Sequence, residues 1–242
     1  MSPDTLSWFH PVGHLSVADI VLIVSTLALA TTALIAPTFA AAVMHWWARP
    51  QLSIDFRLAR PACHKTDLAY ALSPSQHFKA PVYIYRLEVT NSGRSQARRC
   101  EVILEGLYRA DAAGVFQPFP WTTPVSLPWG SGFTDFVDIN PTRKLFCDLL
   151  SVPAEQYQKF KMDNWGGWVN PPDTPPFPLG VILNVKSAFF SQPDRLPAGR
   201  YSLHLALYAE NASSVRKTLT LAWSGTWKAD EDAFFKECVV TT

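Results

Sequence analysis

The sequence predicts a mainly β protein: an antiparallel β-sandwich of about seven or eight strands, preceded by one transmembrane α-helix. Three observations predict it. A charge-free apolar run lies near the N-terminus. The remainder alternates apolar and polar residues with period two. Twenty prolines among 242 residues argue against an all-helical domain, because interior Pro breaks helices.

The helix comes first. No Asp, Glu, Lys or Arg occurs between Asp19 and Arg49. The stretch 20–48 exceeds the roughly 20 apolar residues that a bilayer core needs. A surface helix of a soluble domain would keep a polar face over that length. Pro37 falls inside the run, where membrane helices tolerate it. Trp46 and Trp47, with Arg49 beyond them, stand where an aromatic and basic membrane interface belongs. The short tail 1–19 holds no Lys or Arg, whereas Arg49, Arg57, Arg60 and Lys65 follow the span. The positive-inside rule therefore puts the tail outside a cell (inner) membrane, crossed once, and the domain in the cytoplasm. Two alternatives stay open. Ala40-Ala41-Ala42 offers a cleavage site that would release a secreted domain, although a basic n-region is missing. An uncleaved anchor with the domain outside is the other.

The strands follow from residue 50 to 228. Leu52, Ile54, Phe56 and Leu58 alternate with polar neighbours, which reads as a half-buried strand. Tyr83, Tyr85, Leu87 and Val89 share one face of the next, and Asn91-Ser92-Gly93 ends it with turn chemistry. Cys100, Val102 and Leu104 then point one way, and Glu101, Ile103 and Glu105 the other. Leu145, Cys147 and Leu149 alternate with Phe146, Asp148 and Leu150. Val181 to Val185 is a short apolar run. Pro197-Ala198-Gly199 turns into a strand with Tyr201, Leu203, Leu205 and Leu207 on one face. Asn211-Ala212-Ser213-Ser214 returns the chain along Val215, Leu219, Leu221 and Trp223, a hairpin in which Lys217 interrupts the apolar face near its open end. Short helices are expected at Ala154–Met162 and within a C-terminal tail, 229–242.

The run Tyr85-Arg86-Leu87-Glu88-Val89-Thr90-Asn91-Ser92-Gly93-Arg94-Ser95-Gln96-Ala97, followed by Cys100-Glu101-Val102-Ile103-Leu104, resembles a bacterial immunoglobulin-like module. There a strand ends in Asn-x-Gly and the next begins after a small residue. Gly199-Arg200-Tyr201-Ser202-Leu203 resembles the start of a late strand in the same fold. The Cys–Trp–Cys core of antibody domains is missing. The resemblance implies an immunoglobulin-like sandwich and no particular activity.

Charge and motifs exclude several function classes. With 21 basic and 20 acidic residues the net charge is +1, without the basic excess of a nucleic-acid binder. Cys63, Cys100, Cys147 and Cys238 are scattered and form no disulfide framework. Cys63-His64, His77 and Cys100 match no standard zinc spacing. No nucleophile elbow or phosphate loop occurs, so no catalytic, cofactor or metal residues are assigned. Asn211-Ala212-Ser213 matches a glycosylation sequon and reads better as a turn. The candidate contacts are aromatic. Trp165, Trp168 and Phe177 lie in a Pro/Trp-rich loop at 163–179, and Trp121 and Trp129 in a second at 116–129. Such loops on a rigid sandwich suit partner binding, or they cover an open end of the core. The expectation is a membrane-tethered, non-enzymatic interaction module (adaptor or scaffold) with the bilayer around 20–48 and a protein partner. The alternatives are an accessory subunit assembled through its helix, and an extracytoplasmic carbohydrate-binding or hydrolytic domain.

Overall fold

The computed structural model describes residues 16–73, 76–119, 124–130, 136–155, 180–185 and 195–242. The chain divides into two units, the first ending at Ala48 and the second spanning Arg49–Thr242.

In the first unit, α1 runs Val17–Trp47. A reciprocal cap starts it. Ser16 N–H donates to Asp19 Oδ2 at 3.0 Å, and Asp19 N–H donates back to Ser16 Oγ at 3.2 Å, which satisfies donors that a helix start leaves open. Val17–Ala40, 24 residues, is long and apolar enough to cross a membrane, and every side chain in it is exposed. Its hydroxyls turn back onto the helix. Thr26 Oγ1 donates to Leu22 O at 2.7 Å, Thr32 Oγ1 to Ala28 O at 2.7 Å and Thr38 Oγ1 to Ile35 O at 2.8 Å. A polar group that finds its partner within the helix is tolerable in hydrocarbon. Helical structure continues through Pro37.

The second unit is β-rich. Its described strands are β1 (Leu52–Asp55), β2 (Cys63–Ser73), β3 (Gln76–Asn91), β4 (Ala97–Ala110), β5 (Phe116–Pro118), β6 (Val125–Ser126), β7 (Val137–Ile139), β8 (Lys144–Pro153), β9 (Val181–Leu183), β10 (Arg195–Leu196), β11 (Gly199–Ala209), β12 (Ala212–Trp223) and β13 (Cys238–Thr241), with a short helix α2 (Glu231–Glu237) before the last. They form two antiparallel sheets. One has the order β1-β3-β8-β9-β10 with β2 also on β3. The other is β13-β12-β11-β4-β5 with β6 and β7 also on β4. The strands beyond the expected seven or eight are mostly segments of two to four residues. β1 and β2 follow one another along one edge of β3, and the short β5, β6 and β7 along one edge of β4, so less of each edge is left open to foreign strands.

One core joins the sheets. Tyr83, Tyr85, Leu87 and Val89 from β3 are fully buried with Cys100, Val102 and Leu104 from β4 and Tyr201, Leu203 and Leu207 from β11. These are the period-two faces expected from the sequence. On β8 the alternation breaks, with Leu149 and Leu150 both buried. A register shift against Tyr85 and Arg86 supplies the reason, since a bulge inserts one residue without a partner. The last hairpin forms as expected, though β12 already starts at Ala212. Lys217 keeps 28% of its side chain exposed and lies 3.9 Å from Asp55 of β1.

The C-terminal residues 229–242, expected as a tail, are part of the fold. Asp230 caps α2 by accepting from Ala233 N at 2.8 Å. Phe234 stacks on Tyr83 at 3.7 Å between ring centroids, and β13 adds to β12. Tyr85 Oη donates to Cys238 O at 2.7 Å, which ties β3 of one sheet to β13 of the other. Burial of Phe234, Cys238 and Val240 gives this segment its place.

Candidate interaction surface

Trp165, Trp168, Phe177 and Trp121 lie outside the described residues, as does most of the helix expected at Ala154–Met162. At the end of α1, Trp47 is 55% exposed; Trp46 shares that last turn, and Arg49 is exposed one residue beyond the helix unit. Trp129 is only 2% exposed. Its segment runs between the sheets. Leu127 N donates to Val102 O at 2.8 Å, Asp148 N to Pro128 O at 2.8 Å and Gly130 N to Phe146 O at 2.9 Å. Trp129 thus closes one side of the core and presents no surface for contact.

The thiols belong to the core as well. None of the four cysteines forms a disulfide, and all four are buried. Burial pushes Cys63 up to about 12, Cys100 up to about 11 and Cys238 up to about 12. At neutral pH such groups are thiols rather than nucleophilic thiolates.

The outward faces of the sheets hold the polar side chains. On β4, β11 and β12, Tyr208 Oη donates to Glu105 Oε1, and Arg216 Nε lies 3.2 Å from Glu105 Oε2. The hydrogen bond from Tyr208 holds the Glu105 carboxyl below its ordinary range, and the carboxylate in turn raises the Tyr208 phenol. His204 packs on Tyr108 with centroids 4.6 Å apart. Glu105 reaches this position because the β4–β11 register shifts between His204 and Leu205.

On the first sheet, Arg86 Nε donates to Asp148 Oδ1 at 2.8 Å, with both side chains 24% exposed. Gly130 packs over them; a Cβ there would lie 3.3 Å from Asp148 Oδ1. Burial raises the Asp148 carboxyl from its ordinary 3.8 more than Arg86 lowers it. The folded chain therefore holds this proton more tightly than the unfolded chain. Stability falls as pH rises from that ordinary value through the raised one. Asp148→Asn is expected to flatten this part of the profile, read as urea midpoints across the acid range. Parallel profiles for the two proteins would refute the assignment.

A third polar region forms where the chain comes in from α1. Asn91 is its hub and is fully buried. Its Nδ2 donates to Ser95 O at 2.8 Å and to Ile139 O at 2.9 Å. Its Oδ1 accepts from Gln51 N at 3.1 Å and Gly93 N at 3.0 Å. Its backbone N donates to Arg143 O at 3.1 Å and its backbone O accepts from Thr142 N at 2.8 Å. A second asparagine extends the network: Asn211 Nδ2 donates to Gln96 O at 2.8 Å, and Arg98 N donates to Asn211 Oδ1 at 2.9 Å. Four segments far apart in sequence are thereby locked into one rim: 49–53, 90–99, 137–145 and 208–213. Arg99 (φ 49°) and Thr142 (φ 62°) both adopt left-handed backbone here. Asp138 Oδ1, 2.8 Å from Arg99 N, and the carbonyl of Asn91 hold them.

No family model and no curated protein matches this chain.

Proposed function

We propose that this chain is a membrane-tethered, non-enzymatic protein-interaction module, an adaptor or scaffold. It crosses a cell membrane once, with its N-terminus outside and its β-domain in the cytoplasm. The observation that carries the reading is α1. Its apolar stretch exposes every side chain from Val17 to Ala40, and the domain that follows has a core of its own. An exposed apolar surface of that extent calls for lipid around it.

The domain is read as immunoglobulin-like. In that fold strands A, B and E share one sheet and C, F and G the other. Here β1, β3 and β8 share one sheet, and β4, β11 and β12 the other. Tyr201, near the start of β11, donates its hydroxyl to Pro197 O four residues upstream at 2.8 Å. This matches the tyrosine corner at the start of strand F. One departure stands: the far neighbour of β8 is β9, which follows it in the chain instead of preceding it.

An alkaline wash is expected to leave the full chain in the membrane pellet and to release a chain lacking residues 17–47. A reporter fused after Thr242 is expected to be active in the cytoplasm. Release of the full chain by the wash would remove the tether, and a reporter active only outside would reverse the topology. The contact arm uses Trp165→Ala with Trp168→Ala. Loss of partner recovery at unchanged melting temperature supports a docking loop; lower melting temperature with recovery intact makes the loop structural.

A further inference from the structure

The whole chain is nearly neutral, at +1, yet the rim around Asn91 is not. Its four segments carry Arg49, Arg94, Arg98, Arg99, Arg143 and Lys144 against only Asp138 and Glu210. The rest of the chain is consequently net acidic. All six basic residues are exposed. Glu210 is taken by Arg99, whose Nε lies 3.2 Å from Glu210 Oε1. Asp138 is taken by the backbone of Arg99. Lys144 pairs with Glu88 at 2.5 Å. Arg49, Arg98 and Arg143 extend the positive field beyond these pairs.

The position of the rim selects the occupant. Only Ala48 separates Trp47, the last residue of α1, from Arg49. Two Cα–Cα steps span at most about 8 Å. The apolar stretch ends at Ala40 and the helix continues to Trp47, about 10 Å further, so with Trp46 and Trp47 read as the interface belt Arg49 follows directly on the head-group layer. Gly93 packs against the backbone of Arg49, Pro50 and Gln51, and the Asn91 network fixes the other basic segments beside them. The sequence-adjacent charges go elsewhere. Arg60 pairs with Glu231 at 2.9 Å and Lys65 Nζ donates to Ala229 O at 2.7 Å, next to Tyr83. Tyr83 and Asn91 lie eight residue steps apart along β3, about 26 Å of strand.

We infer that this rim is a binding surface for the anionic lipid head groups of the leaflet in which α1 ends. Basic side chains near an anionic leaflet are attracted over about a Debye length, and the rim starts inside that distance. The surface rests on the membrane-spanning reading of α1 and adds a second, charge-dependent contact to it.

The test uses the full chain in lipid nanodiscs of phosphatidylcholine, with and without phosphatidylglycerol. A fluorophore on Ser95→Cys reports approach to a head-group-labelled quenching lipid. Quenching is expected to rise severalfold when phosphatidylglycerol is present. It should return to the neutral-lipid level at high salt and in the triple variant Arg49→Gln, Arg98→Gln, Arg143→Gln. The matching Arg→Lys triple should retain it, and both triples should melt with the parent protein. Equal quenching in neutral and anionic discs would overturn the inference, as would a signal blind to lipid charge that responds to added polyglutamate, which would assign the rim to an acidic protein segment. A chain that fails to enter discs of either composition would instead sink the spanning reading itself.

Discussion

Replacing Asn91 by Ala is expected to cost about 4 kcal/mol of domain stability. Four side-chain hydrogen bonds of a buried residue disappear at once, to Ser95 O, Ile139 O, Gln51 N and Gly93 N. Leaving a buried polar group unpaired costs about 1–3 kcal/mol, and water at the rim recovers part of that. For a domain of this size the loss is read as a fall in melting temperature of roughly 10 °C. Asn91→Asp separates chemistry from shape. The carboxylate still accepts from Gln51 and Gly93 but turns acceptor oxygen toward two carbonyls. It should be as damaging as Ala at neutral pH and regain part of the loss in acid, where the protonated group donates one bond again. A melting temperature unchanged in both variants would show that the hub is not needed.

Gly93→Ala is expected to be nearly as severe, at about 3 kcal/mol. A Cβ on Gly93 would sit 2.6 Å from Pro50 Cα and closer still to Gln51 N and Arg49 O. These are backbone atoms, so no side chain can swing aside. The segment 49–51 must move, and with it go the bonds from Ser92 N to Gln51 O at 2.8 Å and from Gln51 N to Asn91 Oδ1. The loss differs from that at Asn91 because a shortened chain lacking the residues before 52 should tolerate Gly93→Ala. Thermal melts of the two forms, each with and without the substitution, check this. Equal sensitivity in both would place the clash elsewhere.

Both residues show how far the sequence could be read. Asn91-Ser92-Gly93 is legible as a turn, because Asn and Gly carry turn chemistry locally. That Gln51, Ile139 and Arg143 converge on it is not legible, since those partners lie far away along the chain. The faces of β3, β4 and β11 were readable because one buried side imposes strict period two. β2 hides because no member of His64-Lys65-Thr66 is fully buried, so no apolar alternation marks it. β13 hides because Phe234, Phe235 and Cys238 continue a helical spacing that stops one residue earlier, at Glu237. Trp129 looked like a contact because Pro and Trp cluster around it; burial between β4 and β8 is a tertiary fact. Basic residues near the span are also deceptive. Lys65 is close in sequence and ends beside α2, while Arg143 is remote in sequence and ends beside Gln51.

The buried thiols have a practical side. All four native cysteines are inside the core, and burial pushes the Cys63, Cys100 and Cys238 thiols upward, so maleimide reagents at neutral pH should pass the core thiols by. The wild-type chain then serves as its own cysteine-free background. A thiol engineered at an exposed site such as Ser213, on the β12 side of the last hairpin, becomes the one reactive handle on an otherwise unaltered protein. Membrane-impermeant labelling of intact cells could then read the sidedness of the domain without a fusion partner.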